Sequence, residues 1–131
     1  MAFTPYSYDH GQPLPSQYLP TAAGTISVGL CMALSGGQLS LSTKPDYIAL
    51  CDRTCTAGER IPAMHITEDM IFEAPLKAAS KDVKAGSLVD VAADGLSIAS
   101  TSVNKNIQII SMDGTAKGDL CRCRFVTVKE V

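Results

Sequence analysis

The chain has 131 residues, a mass of 13.8 kDa, 46% hydrophobic and 18% charged residues and a net charge of −2 at neutral pH; that is one domain, able to bury roughly two-thirds of its unfolded surface without cross-links. Its eleven Lys and Arg residues are scattered apart from Arg122 and Arg124, which excludes the basic stripe that a nucleic-acid backbone requires. No apolar run reaches bilayer length, the first twenty residues lack the basic start and apolar middle of a secretory signal, and the five cysteines are an odd number that fits reduced thiols, so synthesis in a cytoplasm and no membrane partner are expected.

Residues 1–24 differ in kind from the rest. Pro5, Pro13, Pro15 and Pro20 oppose a helix or a central strand, while Phe3, Tyr6, Tyr8 and Tyr18 supply stacking surface, so the reading is an extended arm able to reach about 60 Å. Residues 26–34 alternate with period two, placing Ile26, Val28, Leu30, Met32 and Leu34 on one face of a single strand. Ser35-Gly36-Gly37 supplies a tight hairpin turn, and residues 38–42 return as its partner. Residues 46–51, 60–67 and 70–74 read as strands, with a loop over 52–58 and a corner at Glu68-Asp69. The Ala- and Lys-containing stretch 75–84 is the one predicted helix. Strands follow over 87–91, 96–100, 107–112 and 120–128.

The pattern occurs twice. Gly29 falls opposite Gly86, Leu34 opposite Val91 and Leu39 opposite Leu96, the second copy beginning roughly sixty residues after the first. Neither copy is large enough to bury its own apolar strands, so the two are expected to share a core. The expectation is a mainly β fold, a compact barrel or sandwich of two quasi-repeated halves (about 25–74 and 83–128) within a β domain over 25–131, carrying the arm over 1–24.

Chemistry-bearing residues do not assemble into a known site. On a strand, Cys121, Cys123 and Phe125 share one face and Arg122 and Arg124 the other. A zinc site would need Cys51 and Cys55 as well, at a spacing that is not diagnostic, so the cysteines read as core residues, with no metal or other cofactor expected. The two arginines become candidate interface residues, suited to pairing with carboxylates across a contact. His65 reads as a half-buried structural residue, and His10 has no nucleophile to serve. Glu68, Asp69 and Glu73 read as a solvated corner rather than an acid–base pair. Thr56-Ala57-Gly58-Glu59 matches a capping box in form but sits in a hairpin context. No catalytic residue is identified.

Three segments, Thr43 to Asp52, Ala57 to Ala63 and Thr67 to Glu73, together with the cadence of residues 28–41 echoed in 85–98, resemble the capsid decoration, or cement, proteins of tailed bacteriophage heads. The likeness covers most of residues 24–128. It implies a β-rich, non-enzymatic virion protein on the capsid surface, bound to the major capsid protein, homo-oligomeric with a trimer as the favoured state, and stabilising the shell by bridging capsid subunits. On this reading Phe3, Tyr6, Tyr8 and Tyr18 anchor the arm. The alternatives are a tail or baseplate component and, from a different class, a biotinyl- or lipoyl-like carrier domain. Carrier domains present a lysine at a hairpin tip, and neither Ser35-Gly36-Gly37 nor Ala93-Asp94-Gly95 contains one.

Overall fold

The computed structural model describes residues 3–8, 17–67 and 70–126. Twelve strands form there: β1 Thr4–Tyr8, β2 Gln17–Pro20, β3 Gly24–Ile26, β4 Cys31–Ser35, β5 Gln38–Leu41, β6 Tyr47–Ala49, β7 Arg53–Cys55, β8 Arg60–His65, β9 Met70–Pro75, β10 Leu88–Val89, β11 Ile107–Met112 and β12 Leu120–Phe125. They make two five-stranded sheets, β2-β8-β6-β4-β5 and β1-β9-β12-β11-β10, and a two-stranded ribbon, β3-β7. Every strand pairing is antiparallel. The all-β expectation holds. No helix and no closed barrel occur among the described residues.

Four strands of each sheet correspond in order and register. The pairs Cys31↔Ile48 and Met32↔Tyr47 have Leu88↔Gln108 and Val89↔Ile107 as counterparts. Tyr47↔His65, Ile48↔Met64 and Ala49↔Ala63 correspond to Ile107↔Phe125, Gln108↔Arg124 and Ile109↔Cys123, and Leu19↔Ile61 to Ala74↔Cys121. The connections agree as well. A turn closed by Leu30 N–H to the Ser27 carbonyl precedes β4, and one closed by Ser87 N–H to the Lys84 carbonyl precedes β10, both at 3.0 Å. Gly29 and Gly86 hold the third position of these turns at φ 86° and 91°, where a Cβ would strain the backbone. Past the first strand of each copy, single parallel bridges Thr21↔Leu39 and Leu76↔Ile98 curl the sheet back on itself. Leu39 therefore matches Ile98 and not Leu96, because the hairpin over 92–97 is longer than the Ser35–Gln38 turn.

Directly opposed residues share a face, which fixes where each sheet packs. Cys31, Ile48 and Met64 leave the first sheet toward the second and join Phe72, Ala74, Val89, Ile107, Ile109, Cys121, Cys123 and Phe125 in the larger core. From the other face of the first sheet, Met32, Leu39, Ala49, Ile61 and Ala63 pack with Ile26, Leu30 and Cys55 of the ribbon region. Among the described residues, hydrogen bonds that tie the first sheet's region to the second's include Phe3 N–H to the Gly29 carbonyl (3.3 Å), Cys31 N–H to the Gly95 carbonyl (2.9 Å) and Asn106 Nδ2 to the Thr43 carbonyl (2.6 Å).

Several expectations need correction. The strand over 26–34 is broken by the Gly29 turn, so Ile26 ends the ribbon strand β3, Cys31 opens β4, and Val28 and Leu34 are exposed. The helix over 75–84 is absent: Leu76, Lys77 and Ser80 donate their N–H groups to Asp119, Ile98 and Thr115 on other segments, and a stretch that short lacks the propensity to compete. Part of the 52–58 loop is strand β7. Only Ile98 of the segment 96–100 makes a bridge. Within the arm, residues 4–8 and 17–20 are strands: β1 and β2 lie at the edges of the two sheets, the position in a sheet that tolerates proline.

Candidate binding surfaces

The aromatic residues of the N-terminal segment separate by role. Phe3 is 1% exposed, its ring centroid 5.4 Å from that of Phe125, which in turn lies 5.4 Å from Phe72 in edge contact. It is thus a core residue of its own chain and not an anchor for another. Long-range contact, invisible to periodicity, decided this. Tyr6 and Tyr8 are carried on β1, and their side chains lie outside the described residues. Tyr18 is 64% exposed on edge strand β2, and its carbonyl accepts from Arg60 Nη1 (3.3 Å).

Strand β12 alternates as expected, with Cys121, Cys123 and Phe125 buried. Burial, followed by the Asp113 and Asp119 charges, pushes the Cys121 thiol up to about 11. Cys123 and Cys31 are raised further, first by burial. Such thiols are poor nucleophiles and poor ligands at neutral pH. Cys51 alone is half-buried, and it too is raised, by burial and then by Cys55. Among the described residues no group of three or more His, Cys, Asp or Glu converges to hold a metal ion.

On the opposite face of β12 the arginines meet partners within the chain. Arg122 pairs through Nε with Glu73 Oε2 (3.1 Å) and through Nη1 with Asp113, so Glu73 belongs to an ion-pair network. Arg124 Nε donates to Gln108 Oε1 at 2.8 Å, a neutral acceptor that leaves its charge uncompensated by a carboxylate there. His65 is exposed rather than half-buried and meets Tyr47 edge-on at 5.1 Å. Glu59 accepts from the N–H (2.9 Å) and hydroxyl (2.8 Å) of Thr56, closing the β7–β8 turn in the form of a capping box without a helix. These bonds lower the Glu59 pKa. His10, Glu68 and Asp69 lie outside the described residues.

Sequence reading missed Asp90. Its buried carboxylate accepts from Thr101 Oγ1 (2.6 Å) and from the N–H groups of Val103 (2.9 Å), Asn104 (2.7 Å) and Lys105 (2.8 Å). Burial by itself raises its pKa; the four hydrogen bonds outweigh that and hold it below the ordinary value. They also hold Lys105 at φ 55°. The only trace in the sequence is an acid set between Val89 and Val91 in an apolar run. Asp94 is a smaller version, held low against burial by Leu96 N–H, Lys77 and Ser97.

With these groups occupied, the remaining candidates are exposed apolar side chains: Tyr18, Val28, Leu34, Leu41, Leu88, Val103 and Ile110. Comparison of the chain with protein-family profiles, curated proteins and solved structures finds no match. The chain's own surface must carry the functional argument.

Proposed function

We propose that this chain is a structural subunit of a phage particle: a non-enzymatic head-decoration protein that binds the outer surface of the capsid and stabilises it by bridging major capsid subunits, with self-association, as a trimer, adding valency. The observation that carries the reading is the disposition of reactive groups. Four of the five cysteines are buried with raised pKa or in the apolar core, the β12 arginines and Glu73 are paired across strands, and Asp90 and Asp94 organise loops. Among the described residues seven large apolar side chains meanwhile stand exposed on a body pinned by two cores, and a rigid scaffold with apolar side chains at its surface suits a binding protein. The sequence resemblance supplies the class of partner. Clamping would act by multivalency, since shell rupture must then break many modest contacts together.

The test is to mix the purified chain with phage heads assembled without it, pellet the heads and measure bound copies and the temperature at which the shell opens. Saturable binding at a fixed ratio to the major capsid protein, with a raised opening temperature, is the expected result. Binding to purified tails and not to heads would reassign the chain to the tail or baseplate; binding to neither would end the reading.

A further inference from the structure

The chain contains two Asp-Gly pairs, Asp94-Gly95 and Asp113-Gly114, and no Asn-Gly pair. An aspartate followed by glycine is open to a rearrangement that needs no enzyme, in which the glycine's backbone nitrogen attacks the side-chain carbonyl carbon, unhindered by a Cβ. The fold treats the two pairs differently. Gly95 N–H donates to the Ala92 carbonyl (2.9 Å). Both carboxylate oxygens of Asp94 are engaged as well, Oδ1 by Leu96 N–H (2.9 Å) and Ser97 Oγ (3.0 Å), Oδ2 by Lys77 Nζ (3.0 Å). Asp113, in contrast, opens the β11–β12 connection with its side chain 52% exposed. The backbone around it is bonded, Asp113 N–H to the Leu120 carbonyl (2.9 Å), Ser80 N–H to the Thr115 carbonyl (2.9 Å) and Ala116 N–H to Asp119 Oδ2 (3.0 Å), but among the described residues Gly114 N–H donates to nothing. The Asp113 carboxylate has a single partner there, Arg122 Nη1. Arg122 is paired with Glu73 too, so it keeps a partner when Asp113 turns away, and an ion pair at a half-exposed carboxylate is held weakly. Glycine at 114 is also required by the loop: a Cβ would collide with the Asp119 carboxylate, which closes the turn through Ala116 N–H. The packing of this connection thus demands the residue that makes the rearrangement easy.

From this contrast we infer that Asp113-Gly114 is a site of spontaneous modification in the folded protein, converting Asp113 to isoaspartate, while Asp94-Gly95 is protected by its hydrogen bonds. In the first step the Gly114 nitrogen gives up its proton and bonds to Cγ of Asp113, and one carboxyl oxygen leaves as water, which closes a five-membered succinimide. Water then opens the ring at either carbonyl. Opening at one restores aspartate; opening at the other leaves the main chain running through Cβ, one methylene longer, with the carboxylate on Cα. Water and protons are the only co-reactants. In the rearranged product the carboxylate no longer sits where Arg122 Nη1 meets it, and Glu73 alone remains to pair that guanidinium. The chemistry needs no partner and holds whether or not the chain binds phage heads.

The experiment ages the purified chain at neutral pH and physiological temperature, once folded and once unfolded in guanidinium chloride, and follows isoaspartate by tryptic peptide mapping. Cleavage after Lys84, Lys105 and Lys117 puts the two pairs on separate peptides, residues 85–105 and 106–117, and the isoaspartyl form of each is identified by its shifted retention at unchanged mass and by its resistance to a protease that cuts before aspartate. In the unfolded chain both pairs should rearrange at comparable rates. In the folded chain the 106–117 peptide should rearrange at least about tenfold faster than the 85–105 peptide, since at Asp94 several hydrogen bonds must break before the ring can close. Methylation of the aged folded protein by an isoaspartyl methyltransferase should fall to near background in Asp113→Glu, whose longer side chain would have to close a six-membered ring. Equal rates for the two peptides in the folded chain, faster rearrangement at Asp94, or rearrangement at Asp113 in the unfolded chain alone would each overturn the inference. The peptide comparison uses the wild-type chain and so decides the matter even if the variant misfolds.

Discussion

The sheet built on β2, β8, β6 and β4 is buried on both faces, whereas the one built on β9, β12, β11 and β10 is buried on one, although strand order and register correspond. The difference lies in a few side chains. Ile48 and Met64, in the core, stand where the second sheet has Gln108 and Arg124. A backbone ladder is indifferent to this choice, but the free energy of covering the face is not: desolvating an uncompensated guanidinium costs several kcal/mol, whereas burying a Met or Ile side chain gains roughly 1.5–3 kcal/mol. One scaffold used twice thus yields an internal packing face and an external one. The open corner near Tyr47 and His65 follows the same logic, since its counterpart, Ile107 and Phe125, is closed by Phe3.

Exchanging these chemistries should break the correspondence most severely where the face is covered. Met64→Arg is expected to lose about 4 kcal/mol or more, enough to leave little folded protein in urea titrations, while Arg124→Met should change stability by less than about 1 kcal/mol; equal effects would refute the face assignment. Removal of the plug comes next. Phe3→Ala should cost about 3 kcal/mol, and the same measurement on Tyr18→Ala should show almost nothing, because Tyr18 is exposed. A free arm would show no loss at Phe3.

A smaller effect is expected at the loop that only the second half possesses in this form. Asp90→Asn, which replaces one acceptor oxygen by a donor, should cost about 2 kcal/mol. The pH dependence has a definite sign. Asp90 and Asp94 have folded-state pKa values below the ordinary carboxylate value near 4, so their stabilisation is present above about pH 4 and is lost as pH falls through the folded values. The wild-type chain should therefore lose stability on acidification below about pH 4, and Asp90→Asn should show a shallower loss. Smallest of all, Gly86→Ala should cost about 1 kcal/mol from its positive φ alone, there being open space around the site. Gly29→Ala should cost a similar amount from its φ of 86°, the same left-handed conformation.

Legibility in the sequence followed the range of the interactions. The Ser35-Gly36-Gly37 hairpin, strand β11 and the inward stripe Cys121, Cys123 and Phe125 were readable because turn chemistry and period-two alternation are local. The Gly29 and Gly86 match was readable for the same reason, since both positions demand the same backbone. Where each copy begins was harder: residues 70–74 read as a strand, but as the end of the first copy, whereas β9 pairs with β12 in the second sheet. Residues 17–20 read as arm because proline marks an edge strand and a loop alike, so the correspondence of β2 with β9 emerged only from their pairing with β8 and β12. The break in 26–34 was hidden by apolar residues that continue the alternation across a turn. Phe3 and Asp90 were missed as structural determinants because their partners lie far along the chain, at Phe125 and over 101–105.

The most direct test of the central claim is a cryo-electron microscopy map of phage heads saturated with this chain, at a resolution that orients its two sheets. The account predicts density on the outside of the shell, in contact with the major capsid protein, at a fixed number of copies per capsid subunit. Heads without added density, or density confined to the tail, would contradict it.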